Sequence, residues 1–434
     1  MAKIIGTKAI QVFDSRGVPT VSCKVFLDNG SYGIAMVPSG ASTGSKEALE
    51  LRDEANKYHG KGVQDAVQNI NDILGPLIID IDPNNQEEID KILISSDGTS
   101  DKSKYGANAI LAISLAVSHS ASIANKISLH DHFYNLYENI VGENQVQSMP
   151  MPMLNILNGG EHANNNIDIQ EFMIIPSGAK NFNQAMQWST EIYVNLKKII
   201  EDSGLSSSVG DEGGFAPDLK NNEEAIKIII DSIIKSGLEP GEDINIALDC
   251  AASEFFDGNS YTLKGENKKL SSSEFVDYLD ELVEKYPITS IEDGMDENDY
   301  NGWKLLTKKI GKKCQLVGDD LFVTNKDILE GGIKEGIANA ILIKFNQVGS
   351  ITETIKTIEC ANKHGYKSII SHRSGETEDT TIADLAIGLG VGQIKTGAPC
   401  RSDRVAKYNR LLWIEEENSH IPVSYTHLTL PTKA

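Results

Sequence analysis

Cysteine is sparse and unpatterned in this chain. There are five, Cys23, Cys250, Cys314, Cys360 and Cys400, an odd number with no Cys-x-x-Cys among them. That excludes a disulfide framework, argues against a thiolate zinc site, and suits thiols that stay reduced and mostly buried. Basic runs are also missing. Against 62 Asp and Glu stand 40 Lys and Arg, a formal charge of −22. A nucleic-acid binder needs a basic face, so no nucleic-acid partner is expected, and an anionic lipid surface would repel the chain. No uninterrupted apolar stretch approaches the ~20 residues of a membrane span. The opening Met1-Ala2-Lys3-Ile4-Ile5-Gly6 has no apolar signal core. The expected location is the cytoplasm; a second, cell-surface location is not readable from the residues.

Common site signatures are lacking too. Gly388-Leu389-Gly390-Val391-Gly392 comes late and has no third glycine at dinucleotide-binding spacing. Gly40 to Lys46 lacks the four residues that a phosphate loop places between its first glycine and Gly-Lys. No His-Glu-x-x-His is present.

What is present is length and pattern. A chain of 434 residues, 40% hydrophobic and 24% charged, is an ordinary globular composition with room for two domains. Lys8 to Phe13 and Thr20 to Phe26 alternate like strands around the turn-like Asp14-Ser15-Arg16-Gly17. The loop Pro38-Ser39-Gly40-Ala41-Ser42-Thr43-Gly44 runs into a helical pattern at Lys46 to Ala55. Further helical stretches reach about Tyr137, the clearest being Ala107 to Ile123. Strands first and helices after predict a small α+β domain. Gly142 to Pro152 reads as a linker.

Beyond it, short apolar runs recur, each ending in a polar residue and most followed by a helical segment. Ile244 to Leu248 ends in Asp249, Ile288 to Ile291 in Glu292, Cys314 to Gly318 in Asp319, Ala340 to Ile343 in Lys344, Ser368 to Ser371 in His372-Arg373, and Gln393-Ile394 in Lys395. The intervals of 22 to 43 residues bracket the roughly 30 of a βα unit. Repeated units predict a closed eight-strand β/α barrel, whose chemistry sits at the carboxyl ends of its strands. An open doubly wound sheet is the alternative, but it would place a phosphate loop after its first strand.

Those ends carry acids and then cations. Asp249, Glu292 and Asp319 together would repel and raise one another's pKa, and a divalent cation removes that penalty. Oxygen-only ligands favour a hard ion such as magnesium. Singly, each acid is better read as a helix cap or a solvated loop. Lys344 and Lys395 could be salt-bridged to these acids. Alternatively, neighbouring cations lower Lys344's pKa until it is neutral and can act as a base. The Arg373 fork matches two phosphate oxygens. Glu212, in Val209-Gly210-Asp211-Glu212-Gly213-Gly214, lies where dense glycine lets a side chain approach a ligand. His162, in Asn158-Gly159-Gly160-Glu161-His162-Ala163, is as readily structural, and Ser42 by spacing alone is an ordinary helix cap.

Eight strings, in order, resemble the motifs of the enolase family. They are Pro38 to Gly44, Leu157 to His162, Gln170-Glu171-Phe172-Met173, Val209 to Gly214, Ser290-Ile291-Glu292-Asp293, Gly318 to Asn325, Ser371 to Asp379 and Gln393 to Gly397. The resemblance spans about Lys3 to Glu417, with wording closest to the bacterial branch. It implies a small α+β domain (1–138) followed by a TIM-like eight-strand β/α barrel (145–420) that bears the active site and has one early strand reversed, an α/β architecture. The reversed strand is not detectable from the residues themselves.

The implied reaction is reversible dehydration of 2-phospho-D-glycerate to phosphoenolpyruvate, in glycolysis and gluconeogenesis. The resemblance assigns Asp249, Glu292 and Asp319 to a first magnesium, and Ser42 to a second that arrives with substrate. It makes Lys344 the base at C2 and Glu212 the acid at the C3 hydroxyl. His162, Gln170, Glu171, Arg373, Ser374 and Lys395 become substrate contacts, with Arg373 and Ser374 at the phosphate. Two divalent ions suit the chemistry, because removing a proton beside a carboxylate puts a second negative charge on it. The family also implies a homodimer or larger homo-oligomer. A racemase or sugar-acid dehydratase of the same superfamily is the nearest alternative, but the Lys-x-Lys base motif that those enzymes often carry on an earlier strand is not found at the corresponding place. A non-catalytic scaffold would be expected to have lost a ligand or the base. Residues 423–434, ending Leu430-Pro431-Thr432-Lys433-Ala434, resemble a translated adapter read-through rather than family sequence.

Overall fold

The computed structural model describes residues 2–41, 43–53, 56–143 and 145–423. The chain opens with three antiparallel strands, β1 (Ile4–Phe13), β2 (Pro19–Leu27) and β3 (Tyr32–Met36). The turn between β1 and β2 closes on Asp14, whose Oδ1 accepts the backbone N–H groups of Arg16 and Val18 at 2.8 and 2.9 Å. This is the usual work of an aspartate in a turn. The helix Ala107–Asn125 lies across β2 and β3. At Gly33 a Cβ would fall 2.2 Å from the Ser120 nitrogen, so only glycine admits the helix this closely. By length and hydropathy this helix could cross a membrane, but 83% of its apolar window is buried in the protein. It is a core helix.

The helical pattern expected over Lys46 to Ala55 is not realised in its described part, 46–53. Its backbone donors go elsewhere. Ala48 N–H donates to the Gln347 carbonyl, Leu49 to Asp101, and Asp53 to Gly62, while Leu51 N–H donates to the Asn108 side chain. Tertiary partners on both domains replaced the i−4 carbonyls, and the segment became a strap rather than a helix.

The rest of the chain builds a closed barrel from β4 (Met151–Asn158), β5 (Glu171–Ile175), β6 (Asn245–Asp249), β9 (Ile288–Glu292), β10 (Gln315–Gly318), β11 (Ala340–Ile343), β12 (Lys367–Ser371) and β13 (Gln393–Lys395), which pairs back onto β4. A small hairpin, β7 (Tyr261–Leu263) and β8 (Lys268–Leu270), is inserted after β6. β5 runs antiparallel to both its neighbours, and every other neighbouring pair is parallel. This is the reversed strand that the resemblance implied. Helices follow most strands, several with side-chain caps; Ser271, for example, forms a reciprocal capping box with Glu274.

Strand parity carries the architecture into the site. Met151, Met153, Met173, Ile175, Ala247, Val317, Ala340, Leu342 and Ile369 form a core cluster of their own. They are the inward set, because alternate strand residues face one side. Continued by two, that set reaches Glu171, Asp249, Asp319 and Lys344, and from Ile369 it passes Ser371 to Arg373. The barrel interior therefore turns from apolar to ionic within one or two steps at its open end.

Near the end of the chain Val423 bridges to Met149, and the Met149 N–H donates to the Pro422 carbonyl at 2.9 Å. Residues 424–434 of the expected non-family tail lie outside the described residues. The four cysteines Cys23, Cys250, Cys314 and Cys360 are buried, Cys400 is half-buried, and all five are free thiols.

Candidate active site

His162, Gln170, Glu171, Glu212, Asp249, Asp319, Lys344, Arg373, Ser374 and Lys395 line one cleft at the carboxyl end of the barrel, and Glu292 reaches it through Lys395. Register accounts for much of this. Asp249 and Glu292 are direct partners across β6 and β9, and Glu171 is the partner of Asp249 across β5 and β6. The Lys395 ammonium sits among all three, 3.0 Å from Asp249, 2.9 Å from Glu292 and 3.2 Å from Glu171. Burial opposes its charge, yet these carboxylates push its pKa well above the ordinary lysine value. Glu292 moves the other way for an acid: burial, and then the Asp249 charge, push it well up.

Lys344 Nζ lies 2.5 Å from Asp319 Oδ2. Burial and Arg373 do disfavour the ammonium, but Asp319 outweighs them and the pKa is raised. The salt-bridge alternative is the one present. Asp319 is otherwise held by Gln347, whose Nε2 donates to Oδ1 at 2.8 Å. Asp293 accepts the backbone N–H groups of Asp319 and Asp320, both at 2.9 Å. Asp293, Asp319 and Asp320 bring carboxylate oxygens within 4.8 Å of one another, and so do His162, Glu171 and Glu212 with their ring nitrogen and oxygens.

On the other side of the cleft the N-terminal loop is fastened to the barrel. Ser39 and Gly375 form a two-way backbone bridge, and Ala41 N–H donates to Ser374 Oγ at 2.7 Å. Glu47 takes both prongs of Arg373, at 2.9 and 3.1 Å, and Asn346 accepts from the same guanidinium at 3.1 Å. A carboxylate of the strap thus fills the fork expected to hold phosphate. Ser42, between these contacts in sequence, lies outside the described residues.

Glu171 and Glu212 form a coupled buried pair. Burial and the neighbouring Glu212 charge raise Glu171 well above its ordinary value. Burial pushes Glu212 up as well, but His372 and His162 beside it outweigh that and hold it well below its ordinary value. Asn155 donates to Glu212 Oε2 at 3.1 Å, with His372 Nε2 at 3.4 Å and His162 Nδ1 at 4.0 Å from the same oxygen.

Among the described residues the cleft is short of positive charge. Seven carboxylates line it against Lys344, Arg373 and Lys395. The Gln170 Oε1 and His162 Nδ1 atoms are buried without a hydrogen-bond partner. Both atoms belong to residues that line the cleft. An all-oxygen acidic donor set fits a hard divalent cation.

Family comparison decides the lineage. Residues 4–133 match the domain described as "Enolase, N-terminal domain", and residues 146–426 match "Enolase, C-terminal TIM barrel domain". The chain belongs to the enolase family. Membership makes it a lyase-type enzyme of that superfamily and implies divalent-metal binding, which the acidic clusters accommodate.

The sequence reading missed several residues of this enolase-family site. Glu47 and Asn346 hold Arg373, Gln347 and Asp293 hold Asp319, and Asn155 and His372 face Glu212. Asp293 directly follows Glu292 and His372 directly precedes Arg373, both singled out, so adjacency was a usable signal. Glu47 lay hidden inside an apparent helix.

Proposed function

We propose that this enzyme catalyses the reversible dehydration of 2-phospho-D-glycerate to phosphoenolpyruvate, serving glycolysis and gluconeogenesis in the cytoplasm as a homodimer or larger homo-oligomer. The observation that carries the reading is that Lys344, a base candidate, and the buried Glu171–Glu212 pair line the same cleft as Arg373. Elimination needs a proton taken at C2 and a hydroxyl released at C3, and these groups can serve both ends. Arg373 and Ser374 bind the phosphate once Glu47 gives up the fork. Released from Asp319, Lys344 gives its ammonium proton to solvent, and the neutral Nζ then accepts the C2 proton. Glu212, in its protonated form, gives its proton to the C3 hydroxyl, which leaves as water. His162, Gln170 and Lys395 orient the substrate. Asp249, Glu292 and Asp319 would hold one Mg2+ and Ser42 would help hold a second, supplying positive charge against the second negative charge that develops on the substrate carboxylate. The test is turnover of 2-phospho-D-glycerate with Mg2+, followed by phosphoenolpyruvate absorbance. Sugar acids or racemisable acids turned over in its place would overturn the reading.

A further inference from the structure

The helix Ser402–Glu417 sends three wholly buried side chains behind the cleft, Arg404, Lys407 and Tyr408. Each ends on backbone carbonyls of the loops that carry the site. Tyr408 Oη donates to the Gly397 carbonyl at 2.6 Å, and Lys407 Nζ to that of Thr377 at 2.6 Å. Arg404 does more. Its Nη1 donates to the Arg373 carbonyl at 2.6 Å and to His372 Nδ1. Its Nη2 donates to the carbonyls of Ser374 at 2.7 Å and Asp211 at 3.4 Å. One guanidinium therefore joins the loop presenting Arg373 and Ser374 to the loop presenting Glu212.

The contact with His372 has a chemical consequence. A guanidinium has donors and no acceptor, so His372 Nδ1 must be the accepting nitrogen. The ring's proton is then on Nε2, which lies 3.4 Å from Glu212 Oε2. The opposite tautomer would set a lone pair against the carboxylate.

We propose that Arg404 is a positioning residue for the acid half of the reaction, fixing the Nε2–H tautomer of His372 and the alignment of the Glu212 loop with the Arg373–Ser374 loop. It touches no substrate and acts through His372 and the Asp211 carbonyl. Burial together with the adjacent guanidinium keeps this ring neutral, its pKa pushed down to about 4. The kinetic part of this proposal rests on the dehydration reading; the tautomer part does not.

Nitrogen-15 spectra of the histidine-labelled full chain test it, with His372 assigned from a His372→Gln sample. In the native protein His372 should show a protonated Nε2 and a bare, hydrogen-bonded Nδ1. A protonated Nδ1, or a cationic ring at neutral pH, would overturn the proposal without any Arg404 variant. Arg404→Lys keeps the charge and loses the fork. It should shift the His372 Nδ1 resonance and lower turnover of 2-phospho-D-glycerate roughly a hundredfold, the scale of a lost general acid. KM should move little, and exchange of the C2 proton with solvent should continue near the native rate. Turnover and exchange falling together, or an unmoved His372 resonance, would show Arg404 to be packing only. A native protein that does not dehydrate 2-phospho-D-glycerate, yet shows the Nε2–H tautomer, would break the functional reading and leave the tautomer assignment standing.

Discussion

The two walls of the cleft are built alike and balanced differently. The strands β6, β9 and β10 end in Asp249, Glu292 and Asp319, and β11, β12 and β13 end in or lead to Lys344, Arg373 and Lys395. Each cation is matched: Lys344 by Asp319, Arg373 by Glu47, and Lys395 by Asp249, Glu292 and Glu171. The acid wall carries more than those cations match: among the described residues, Asp293 and Asp320 crowd Asp319 with no ion pair of their own. Burial and the other acids push Asp293 well up, and burial and Asp319 push Asp320 up to about 7. A folded chain can keep such a wall only if protons or an added cation relieve it. The cation wall needs nothing added.

Breaking the cation wall at Lys344 should have the largest effect. Lys344→Ala should abolish both turnover and C2 exchange, with a loss beyond the ~10²–10⁴-fold of an ordinary general base, because the proton beside a carboxylate is so weakly acidic. Glu212→Gln, on the acid side, should lower turnover by about 10²–10⁴-fold and leave C2 exchange running. Both are read by deuterium incorporation at C2 in heavy water. Exchange surviving in Lys344→Ala but lost in Glu212→Gln would reverse the roles.

The acid wall can be tested by stability. Magnesium at a hundred times its Kd should stabilise the native protein by about 2.7 kcal/mol. Asp319→Ala should lose most of that gain and weaken the metal isotherm, although it also frees Lys344 from its partner. An Asp319→Ala protein that titrates magnesium like the native chain would remove Asp319 from the metal site.

Much of this site was legible because strand parity is rigid. Counting by two from Ala340 through Leu342 reaches Lys344, and from Val317 it reaches Asp319, so apolar runs ending in charge located the barrel mouth. β4 and β5 escaped that count. β4 is buried along its whole length, so it shows no alternation, and its motif continues directly into a loop. β5 is five residues long and its functional end, Glu171, comes first because the strand runs backwards. β3 was hidden by its shortness. The false helix over 46–53 has the opposite cause: its residues fit a helix, but long-range acceptors outcompeted local ones. Arg404 gave no signal at all. An arginine near the start of an amphipathic helix reads as a surface residue until the fold surrounds it.

The smallest expected effect is a control for both walls. Asp384 is buried outside the cleft and fully matched: Arg410 donates to its two oxygens at 2.8 and 2.6 Å, and His130 Nδ1 lies 3.5 Å away. Burial alone would raise its pKa, but the Arg410 fork outweighs burial and holds it below the ordinary aspartate value. A depressed carboxyl contributes stability above its unfolded pKa, near 3.9, and that contribution is lost as pH falls through the lower folded value. Asp384→Asn should therefore cost about 1.5 kcal/mol near pH 7, the worth of a charge-assisted hydrogen bond. Its deficit in Tm against the native chain should narrow as the pH drops below 4 and the native carboxylate begins to protonate. Magnesium should not change that deficit, because no member of the acid wall touches Asp384. A Tm deficit that stays constant down to acid unfolding would mean that the Asp384 charge contributes nothing. A deficit that magnesium erases would mean that the matched pair and the acid wall are coupled, and that the contrast between the regions is not local.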